Sequence, residues 1–255
     1  MLPGKKAAFA ALIITAAVLL IAGCQTEGTI EWNEGTYSGE LYRGQPHGEG
    51  MWTHPDGDHY EGHWEEGMIQ GPGIIITHDG FTYEGEIKDG LAHGEGLLIR
   101  PDGATYEGEF YEGMAHGHGI MIQPGGETYR GQFKENNFHG EGFYLSADGI
   151  RYEGEFRNNL FHGYGEIISP EGISYRGEFK DDLFHGEGTF IDEEGSRYTG
   201  EFRQGKYHGF GIMEFTDGAV YEGQWADGKF NGEGKITFPD GETLEGTWED
   251  HEFVE

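Results

Sequence analysis

The sequence repeats itself every 23 residues, and this period constrains the fold more than any other feature. Tyrosine recurs at that spacing without an insertion, and Leu244 takes the tenth place. Each of these residues is followed two positions later by glycine and four positions later by a large apolar residue. A short and strictly spaced repeat predicts one supersecondary unit per copy, which buries its apolar side only by stacking on its neighbours. The tyrosines are Tyr37, Tyr60, Tyr83, Tyr106, Tyr129, Tyr152, Tyr175, Tyr198 and Tyr221.

Each repeat contains two stretches in which apolar and polar residues alternate. The first is exemplified by Tyr106–Phe110, and the second starts with Gly-x-Gly, as at Gly48 and Gly50. Alternation with period two predicts strands. Roughly six residues between the stretches, and a turn of the Pro-Asp-Gly type after the second, predict a β-hairpin. We therefore expect an all-β fold, an elongated single-sheet solenoid of about ten stacked hairpins.

The residue seven positions after each tyrosine indicates a tight turn. It is glycine in six of the nine repeats, and the other three carry Asn136, Asn159 and Asp182. After glycine, Asn and Asp tolerate a positive φ best. We interpret this place as a requirement of the backbone and not of a ligand.

Successive strand residues point to opposite faces, so the tyrosine, glycine and aromatic residue of the first strand share one face. Glycines in the second strand leave room for the rings of neighbouring strands. We expect a continuous aromatic ladder that forms the core. A single sheet cannot hide every ring, and exposed rings bind apolar partners, sugars or quaternary ammonium groups. The candidates for partner binding on this face are Tyr60, Trp64, Tyr106, Phe110, Tyr129, Phe133, Tyr152, Phe156, Tyr175, Phe179, Tyr198, Phe202, Tyr221 and Trp225.

An apolar stripe on the other face is confined to repeats two to five. The later repeats carry Glu166, Thr189, Glu214 and Lys235 instead. A stripe limited to part of the array indicates a covered surface, through self-association or a protein partner. Its residues are Ile74, Ile76, Leu97, Ile99, Ile120, Ile122, Phe143 and Leu145.

The first 23 residues have the composition of a secretory signal. Lys5 and Lys6 precede the apolar run 7–20, and the segment has no acidic residue. Its end, Ile21-Ala22-Gly23-Cys24, resembles the lipobox of bacterial lipoproteins, in which the cysteine receives acyl chains such as palmitate. Cys24 is the only cysteine, so it cannot form an internal disulfide. We expect lipid attachment at Cys24.

An uncleaved membrane anchor is the alternative interpretation of this segment. The run from Ala7 to Gly23 is short for it, because a spanning helix needs about 20 apolar residues. By resemblance to lipoproteins, Gln25 after the cysteine implies the outer membrane in a cell with two membranes. In a cell with one membrane, the resemblance implies the outer face of that membrane.

Histidine precedes the Gly-x-Gly in seven of the nine repeats. Equivalent atoms in adjacent repeats are expected ~10 Å apart, whereas zinc needs several ligands at ~2 Å, so these histidines cannot share an ion. We expect them to stabilise the turn, and we expect no metal site. They are His47, His93, His116, His139, His162, His185 and His208.

The residue between the two glycines alternates from repeat to repeat. Odd repeats carry Glu49, Glu95, Glu141, Glu187 and Glu233, and even repeats carry Pro72, His118, Tyr164 and Phe210. This alternation is expected to relieve repulsion by separating like charges to ~20 Å. A recognition step that recurs every two repeats is the alternative.

Charge and motifs exclude several classes of function. Removing residues 1–23 leaves 14 basic against 47 acidic residues, a formal charge of −33. Such a chain repels nucleic acid and anionic lipid, and favours a basic protein or peptide, or diffuse divalent cations. No Gly-x-Gly completes a dinucleotide or P-loop motif, and metalloprotease and lipase motifs are absent from the sequence. We expect no catalytic residue and no cofactor, with a weak hydrolase as a third alternative.

The stretches "YEGEF", "HGYG" and "PEG", with their period, resemble the MORN repeat (membrane occupation and recognition nexus) from Tyr37 to about Trp248. The resemblance implies a single-sheet solenoid that serves as a scaffold or binding surface. The expected protein is a non-catalytic, membrane-anchored lipoprotein that binds a protein at the cell envelope. A carbohydrate- or choline-binding cell-wall module is the alternative. The expected parts are a signal peptide (1–23), a lipidated N-terminus and short linker (24–36), and the repeat array (37–255), with nine full repeats (37–243) and a partial tenth as a cap (244–255).

Overall fold

The computed structural model describes residues 25–255, and the regular elements in this range are all β-strands. The 21 strands belong to one antiparallel sheet, so the predicted all-β, single-sheet fold is confirmed. Between residues 25 and 255 there is no helix with the length and apolarity that a membrane span requires. The predicted signal peptide and the predicted lipid site at Cys24 lie outside the described residues.

The strands follow the predicted hairpins. β1 (Gln25–Trp32) precedes the first repeat. The first strands of the hairpins are β2 (Gly35–Tyr42), β4 (His59–Glu65), β6 (Thr82–Lys88), β8 (Thr105–Tyr111), β10 (Thr128–Lys134), β12 (Arg151–Arg157), β14 (Ser174–Lys180), β16 (Arg197–Arg203), β18 (Val220–Ala226) and β20 (Thr243–Glu249). The second strands are β3 (Gln45–Thr53), β5 (Met68–Ile76), β7 (Leu91–Ile99), β9 (Met114–Ile122), β11 (Asn137–Leu145), β13 (Leu160–Ile168), β15 (Leu183–Ile191), β17 (Lys206–Glu214), β19 (Lys229–Thr237) and β21 (Glu252–Phe253).

Both ends of the array differ from expectation. β1 lies where a short linker was expected (24–36), and all eight of its residues pair with β2. Asn33 and Glu34 form the turn between these strands, with φ of 47° and 64°. At the other end, the partial tenth repeat that was expected to be a cap (244–255) contains a short second strand, β21, which pairs with β20. Neither strand carries a tyrosine followed two residues later by glycine, so the repeat pattern does not reveal them.

The loop within each hairpin has two residues, not roughly six. Between β10 and β11 the loop is Glu135-Asn136, with φ of 51° and 68°. Two consecutive positive φ angles define a type I′ turn, whose twist suits a β-hairpin. The positive φ predicted at the place of Asn136 is confirmed. The positive φ of Glu135 was missed because no glycine marks that place.

A β-bulge explains why the second strand looked shorter in the sequence. In β11 the pairing with β10 jumps from Gly142 to His139, which leaves Gly140 and Glu141 without an opposite residue on that strand. Gly140 has φ of 57°, the conformation that favours glycine. The bulge adds two residues to β11, so the side chains keep their faces, but the residues before Gly140 pair two places further along β10 than in a regular strand. The strand therefore starts at Asn137, before the Gly-x-Gly that marks its start in the sequence.

Backbone hydrogen bonds join the turns of successive repeats. The N–H of Asn159 donates to the carbonyl of Phe138 at 3.1 Å, and the N–H of Asp182 to that of Phe161 at 3.0 Å. In return, the side-chain oxygens of Asn159 and Asp182 accept the N–H of Phe138 and Phe161 at 2.7 and 2.8 Å. Glycine cannot supply this second bond. The bond therefore offsets the cost of a positive φ at these two residues.

The chain forms two compact units, Met1–His116 and Gly117–Glu255, called here the N-terminal and C-terminal units. In each unit the largest part of the core is formed by the repeat tyrosines and the large apolar residues four positions later. Tyr37 and Leu41 exemplify this pair in the N-terminal unit, and Tyr152 and Phe156 exemplify it in the C-terminal unit.

Candidate binding surfaces

The aromatic ladder forms the core of both units and is not a surface. Each of the fourteen rings proposed for partner binding is at most 5% exposed. This burial contradicts the expectation that a single sheet leaves these rings open to a partner. The residues concerned are Tyr60, Trp64, Tyr106, Phe110, Tyr129, Phe133, Tyr152, Phe156, Tyr175, Phe179, Tyr198, Phe202, Tyr221 and Trp225.

The hydroxyl groups of the ladder tyrosines are used within the fold. The Tyr129 hydroxyl donates to the carbonyl of Gln132 at 2.8 Å, and the Tyr175 hydroxyl donates to that of Glu178 at 2.8 Å. Burial raises the pKa of Tyr83 to about 12, because the charged phenolate loses its hydration. These tyrosines are therefore neutral, hydrogen-bonded core residues.

The second glycine of each Gly-x-Gly lies against the tyrosine ring of its own hairpin. A Cβ atom at Gly142 would lie 2.6 Å from Tyr129 Oη. A Cβ atom at Gly188 would lie 2.5 Å from both Oη and Cε2 of Tyr175. The predicted role of these glycines, which is to leave space for the rings, is confirmed.

In the C-terminal unit a second ring covers each tyrosine, and the sequence analysis missed it. Phe138 stacks on Tyr129 with ring centroids 3.7 Å apart, and Phe184 stacks on Tyr175 at 3.8 Å. The covering residue lies nine positions after the tyrosine, in the part of the second strand that precedes the bulge. An alignment of the repeats at this place would have revealed the covering rings Phe138, Phe161, Phe184, Tyr207 and Phe230. The four earlier repeats carry Pro46, Ile69, Ala92 and Ala115 at the same place.

A hollow of about 220 Å³ opens beside the covering rings of the C-terminal unit. It is lined by Phe184, Phe190, Phe202, Lys206 and Tyr207, together with two turn glycines. Pockets for small molecules usually have ~300 Å³ or more. The hollow is therefore small for a carbohydrate, and the Lys206 ammonium in its lining repels the cationic group of choline.

The apolar stripe lies on the face opposite the tyrosines, as predicted, and it is accessible. Ile76 and Ile99 in the N-terminal unit are 40% and 39% exposed. Ile120 and Ile122 in the C-terminal unit are 37% and 45% exposed. Unlike the ladder, these side chains have surface available for a partner.

Glutamates border the stripe in the N-terminal unit. Ile74 lies opposite Glu61 on one neighbouring strand and opposite Glu84 on the other. Leu97 lies opposite Glu84 and Glu107 in the same way. Side chains that are directly opposite on one face are in contact distance. This surface therefore alternates apolar side chains with carboxylates.

The histidines lie in the second strands and not in the turns. The carbonyl of His139 accepts a hydrogen bond from the Tyr129 hydroxyl at 3.4 Å. The Nδ1 atoms of His47 and His139 are buried, with no hydrogen-bond partner among the described residues. The expectation of turn-stabilising side chains is thus wrong for these residues. It is the backbone of the histidine that binds the core tyrosine, next to the bulge.

The exposed glutamates of the odd repeats do not relieve repulsion as expected. The sheet register places three of them directly opposite another glutamate, in the pairs Glu95/Glu109, Glu141/Glu155 and Glu187/Glu201. Like charges in opposite positions destabilise a sheet. The nearest carboxylate comes from the adjacent strand and not from the equivalent residue of another repeat, which the sequence pattern did not reveal.

Nine consecutive segments of the sequence match the MORN repeat. They are residues 37–59, 60–82, 83–105, 106–128, 129–151, 152–174, 175–197, 198–220 and 221–243. The predicted bounds of the nine full repeats are confirmed. A comparison with curated proteins found no match.

Solved structures resemble this chain only weakly. The TCP domain of Drosophila melanogaster SAS-4 (dCPAP), in complex with a proline rich motif of Ana2, is 13% identical with a TM-score of 0.38, over 61% of this chain and 84% of that one. The G-box domain of the microcephaly protein CPAP is 13% identical with a TM-score of 0.42, over 79% of this chain and 100% of that one. Virginiamycin B lyase from Staphylococcus aureus has 15% identity and a TM-score of 0.16, over 89% of this chain and 70% of that one. Likeness of this degree carries no argument about function.

Proposed function

This chain belongs to the MORN repeat family, and from that premise we propose that it is a non-catalytic scaffold that binds a basic protein or peptide at the cell envelope. We propose further that a lipid on Cys24 holds it there. The observation that carries the proposal is the accessible apolar stripe of the N-terminal unit, bordered by glutamates. Its residues are Ile74, Ile76, Leu97 and Ile99.

The repeat itself does not require apolar residues at these places. Later repeats form the same second strand with only one apolar residue at the two places: Thr189 replaces Leu97 beside Ile191, and Glu214 replaces Ile76 beside Ile212. Single exposed apolar residues are normal, but a row of them on successive strands marks an interaction surface. A partner that covers this row accounts for it.

Charge favours a basic partner and favours the N-terminal unit as its site. Glu61, Glu84 and Glu107 lie beside the stripe there. In the C-terminal unit, Arg130 lies opposite both Ile120 and Phe143. Complementary charge raises the rate of association and selects the partner. We therefore expect Lys or Arg residues beside the apolar side chains of the partner.

The proposed anchor places this surface near a membrane. β1 begins at Gln25, directly after the cysteine expected to carry the lipid. The strongly acidic chain is repelled by anionic lipid, so the acyl chains, and not the repeats, would provide the membrane affinity.

The test of the partner surface is site-specific photo-crosslinking in intact cells. A photoreactive residue is introduced at Ile76 or Leu97, and matched controls carry it at Glu214 or Thr189, which occupy the same places in later repeats. We expect the variants at Ile76 and Leu97 to capture one basic protein, and the two control variants to capture none. We also expect Glu84→Lys to weaken capture by about tenfold, because the change removes an attractive charge and adds a repulsive one.

Other outcomes would contradict the binding proposal. Capture of a second copy of the chain would favour self-association through repeats two to five. Equal capture at Ile76 and Glu214 would show that the stripe is not the site. Retention on polysaccharide, unaffected by Glu84→Lys, would favour the carbohydrate module.

The anchor has a separate test. In cells fed labelled palmitate, we expect Cys24→Ala to abolish incorporation of the label and to release the protein from the membrane fraction. Cys24→Ser serves as a second variant without a thiol. Membrane retention of both variants would show that the lipid is not the anchor, and it would leave the partner surface unaffected.

A further inference from the structure

Two successive turns of the N-terminal unit bring together metal-binding groups that the repeat does not need. The turn after β3 carries His54, Asp56 and Asp58, and the turn after β5 carries His78. One donor atom each from Asp56, Asp58 and His78 lie within 4.8 Å of one another. Neither histidine is one of the seven that precede a Gly-x-Gly, and the expectation of no metal site was based on those seven.

The backbone holds these groups in place. The N–H of His78 donates to Asp58 Oδ1 at 2.8 Å, and His78 Nδ1 lies 2.9 Å from the same oxygen. The N–H of Asp58 donates to Asp56 Oδ1 at 3.3 Å. His54 Nδ1 also contacts Asp56 Oδ1. Two carboxylates therefore converge, with one imidazole on each side.

The same backbone turn forms in a later repeat without the two histidines and without Asp58. After β3, the N–H of His54 donates to the carbonyl of Asp58 at 2.8 Å, and the turn after β7 has the equivalent bond from Arg100 to Ala104 at 2.8 Å. Asp102 takes the place of Asp56 and accepts the N–H of Ala104 at 3.0 Å, so turn formation explains Asp56. It does not explain Asp58 and His78, whose places in the later turn are taken by Ala104 and Pro101.

We propose that Asp56, Asp58 and His78 bind a divalent transition metal of the zinc class, with His54 as a fourth ligand or as the group that orients Asp56. Zinc takes imidazole nitrogen and carboxylate oxygen at ~2.0 to 2.2 Å, usually with four ligands. Donor atoms within 4.8 Å of one another reach that arrangement by small side-chain rotations. Calcium and magnesium prefer oxygen ligands alone, so the imidazoles select against them.

The main competing explanation is diffuse attraction of cations to an acidic chain. Diffuse attraction does not depend on imidazole, and salt screens it between exposed charges. A coordinated metal depends on His78 and survives an excess of magnesium. The two explanations therefore give opposite results when the histidine alone is changed.

The experiment titrates the full chain in detergent with Zn2+ by calorimetry, in high salt with excess Mg2+, and repeats the titration with Co2+ followed by visible absorption. We expect one zinc per chain and a cobalt spectrum with nitrogen ligation. His78→Gln, and separately Asp58→Asn, should weaken zinc binding by more than about tenfold. Both residues lie on exposed turns, and circular dichroism should show an unchanged sheet in both variants.

The first matched control is His185→Gln, which removes one of the histidines that precede a Gly-x-Gly. The second is Asp102→Asn, which removes the aspartate at the place of Asp56 in a turn without histidine. Both controls should bind zinc as the parent chain does. Equal zinc binding by His78→Gln and the parent chain would overturn the proposal. Complete displacement of zinc by Mg2+ would also overturn it.

Discussion

The N-terminal and C-terminal units build the same hairpins but cover their tyrosines differently. In the C-terminal unit Phe184 lies flat on Tyr175, with an angle of 15° between the rings. At the same place in the N-terminal unit, Ala92 accompanies Tyr83, which has an edge contact with Phe110 at 5.2 Å. The repeat therefore tolerates a large change in core volume at one place without a change in strand order or turn type.

The two units differ in whether the additional side chains strengthen the core or equip the surface. Aromatic pairs contribute ~0.5 to 1.5 kcal/mol beyond the area that they bury, so the stacked rings of the C-terminal unit add to its stability. The N-terminal unit lacks these pairs at Ala92 and Ala115. It carries instead the apolar stripe beside Glu84 and, separately, the proposed metal ligands around His78. We infer that core strength and surface specialisation are concentrated in different parts of the array.

The largest expected effect comes from removing a stacked ring. Phe184→Ala should lower the free energy of unfolding by about 3 kcal/mol, because it removes a ring that packs on Tyr175 and leaves a cavity. At the corresponding place, Ala92→Gly should cost only about 1 kcal/mol. Urea unfolding measures both changes. A loss as small for Phe184→Ala as for Ala92→Gly would show that the stacked rings do not distinguish the units.

A smaller effect is expected from filling the space beside a tyrosine. In Gly188→Ala the new methyl group meets Tyr175, which Phe184 prevents from moving, so we expect a loss of about 2 kcal/mol. Gly96→Ala makes the same collision with Tyr83, but the ring there has only Ala92 at the covering place and can shift. We therefore expect a smaller loss.

The control for this pair is Gly125→Ala. A Cβ atom there would lie 4.0 Å from its nearest neighbour, so urea unfolding should be nearly unchanged. If Gly96→Ala destabilised the protein more than Gly188→Ala does, the explanation based on the covering ring would be wrong.

The smallest effect is the share of a single tyrosine hydroxyl in the loss of stability at mildly alkaline pH. Burial raises the pKa of Tyr83 and of Tyr207 to about 12, above the value of ~10 in an unfolded chain. The folded state thus holds these protons more tightly. The resulting stability is complete below pH 10 and is lost as the pH rises from about 10 through 12.

Thermal unfolding between pH 9 and pH 12 tests this effect. Tyr207→Phe keeps the ring on Tyr198 but removes the ionisable hydroxyl, so its melting temperature should fall less steeply with pH than that of the parent chain. Parallel curves for the two proteins would refute a contribution from Tyr207. The comparison also shows whether Tyr207 stabilises the fold through the stacking of its ring or through its hydroxyl group.

Much of the fold was predictable because the repeat multiplies a weak local signal. The strands around Tyr106 and Tyr152, the positive φ of Asn136, and the exposed face of Ile76 all follow from residues in one repeat. The candidate partner site was predicted only in part. The stripe was found, but Trp64 and Trp225 were also proposed as contact residues and are buried.

What the sequence determined by itself was the period, the β-hairpin, and which residues share a face, because all three depend on neighbours along the chain. The tertiary structure decided the rest. The bulge at Gly140 shifted the pairing of β11 by two residues, which set Phe138 opposite Phe133 and stacked it on Tyr129. Strand register set Glu95 against Glu109. These contacts depend on how one strand lies beside the next, and that alignment cannot be inferred from the pattern of a single strand.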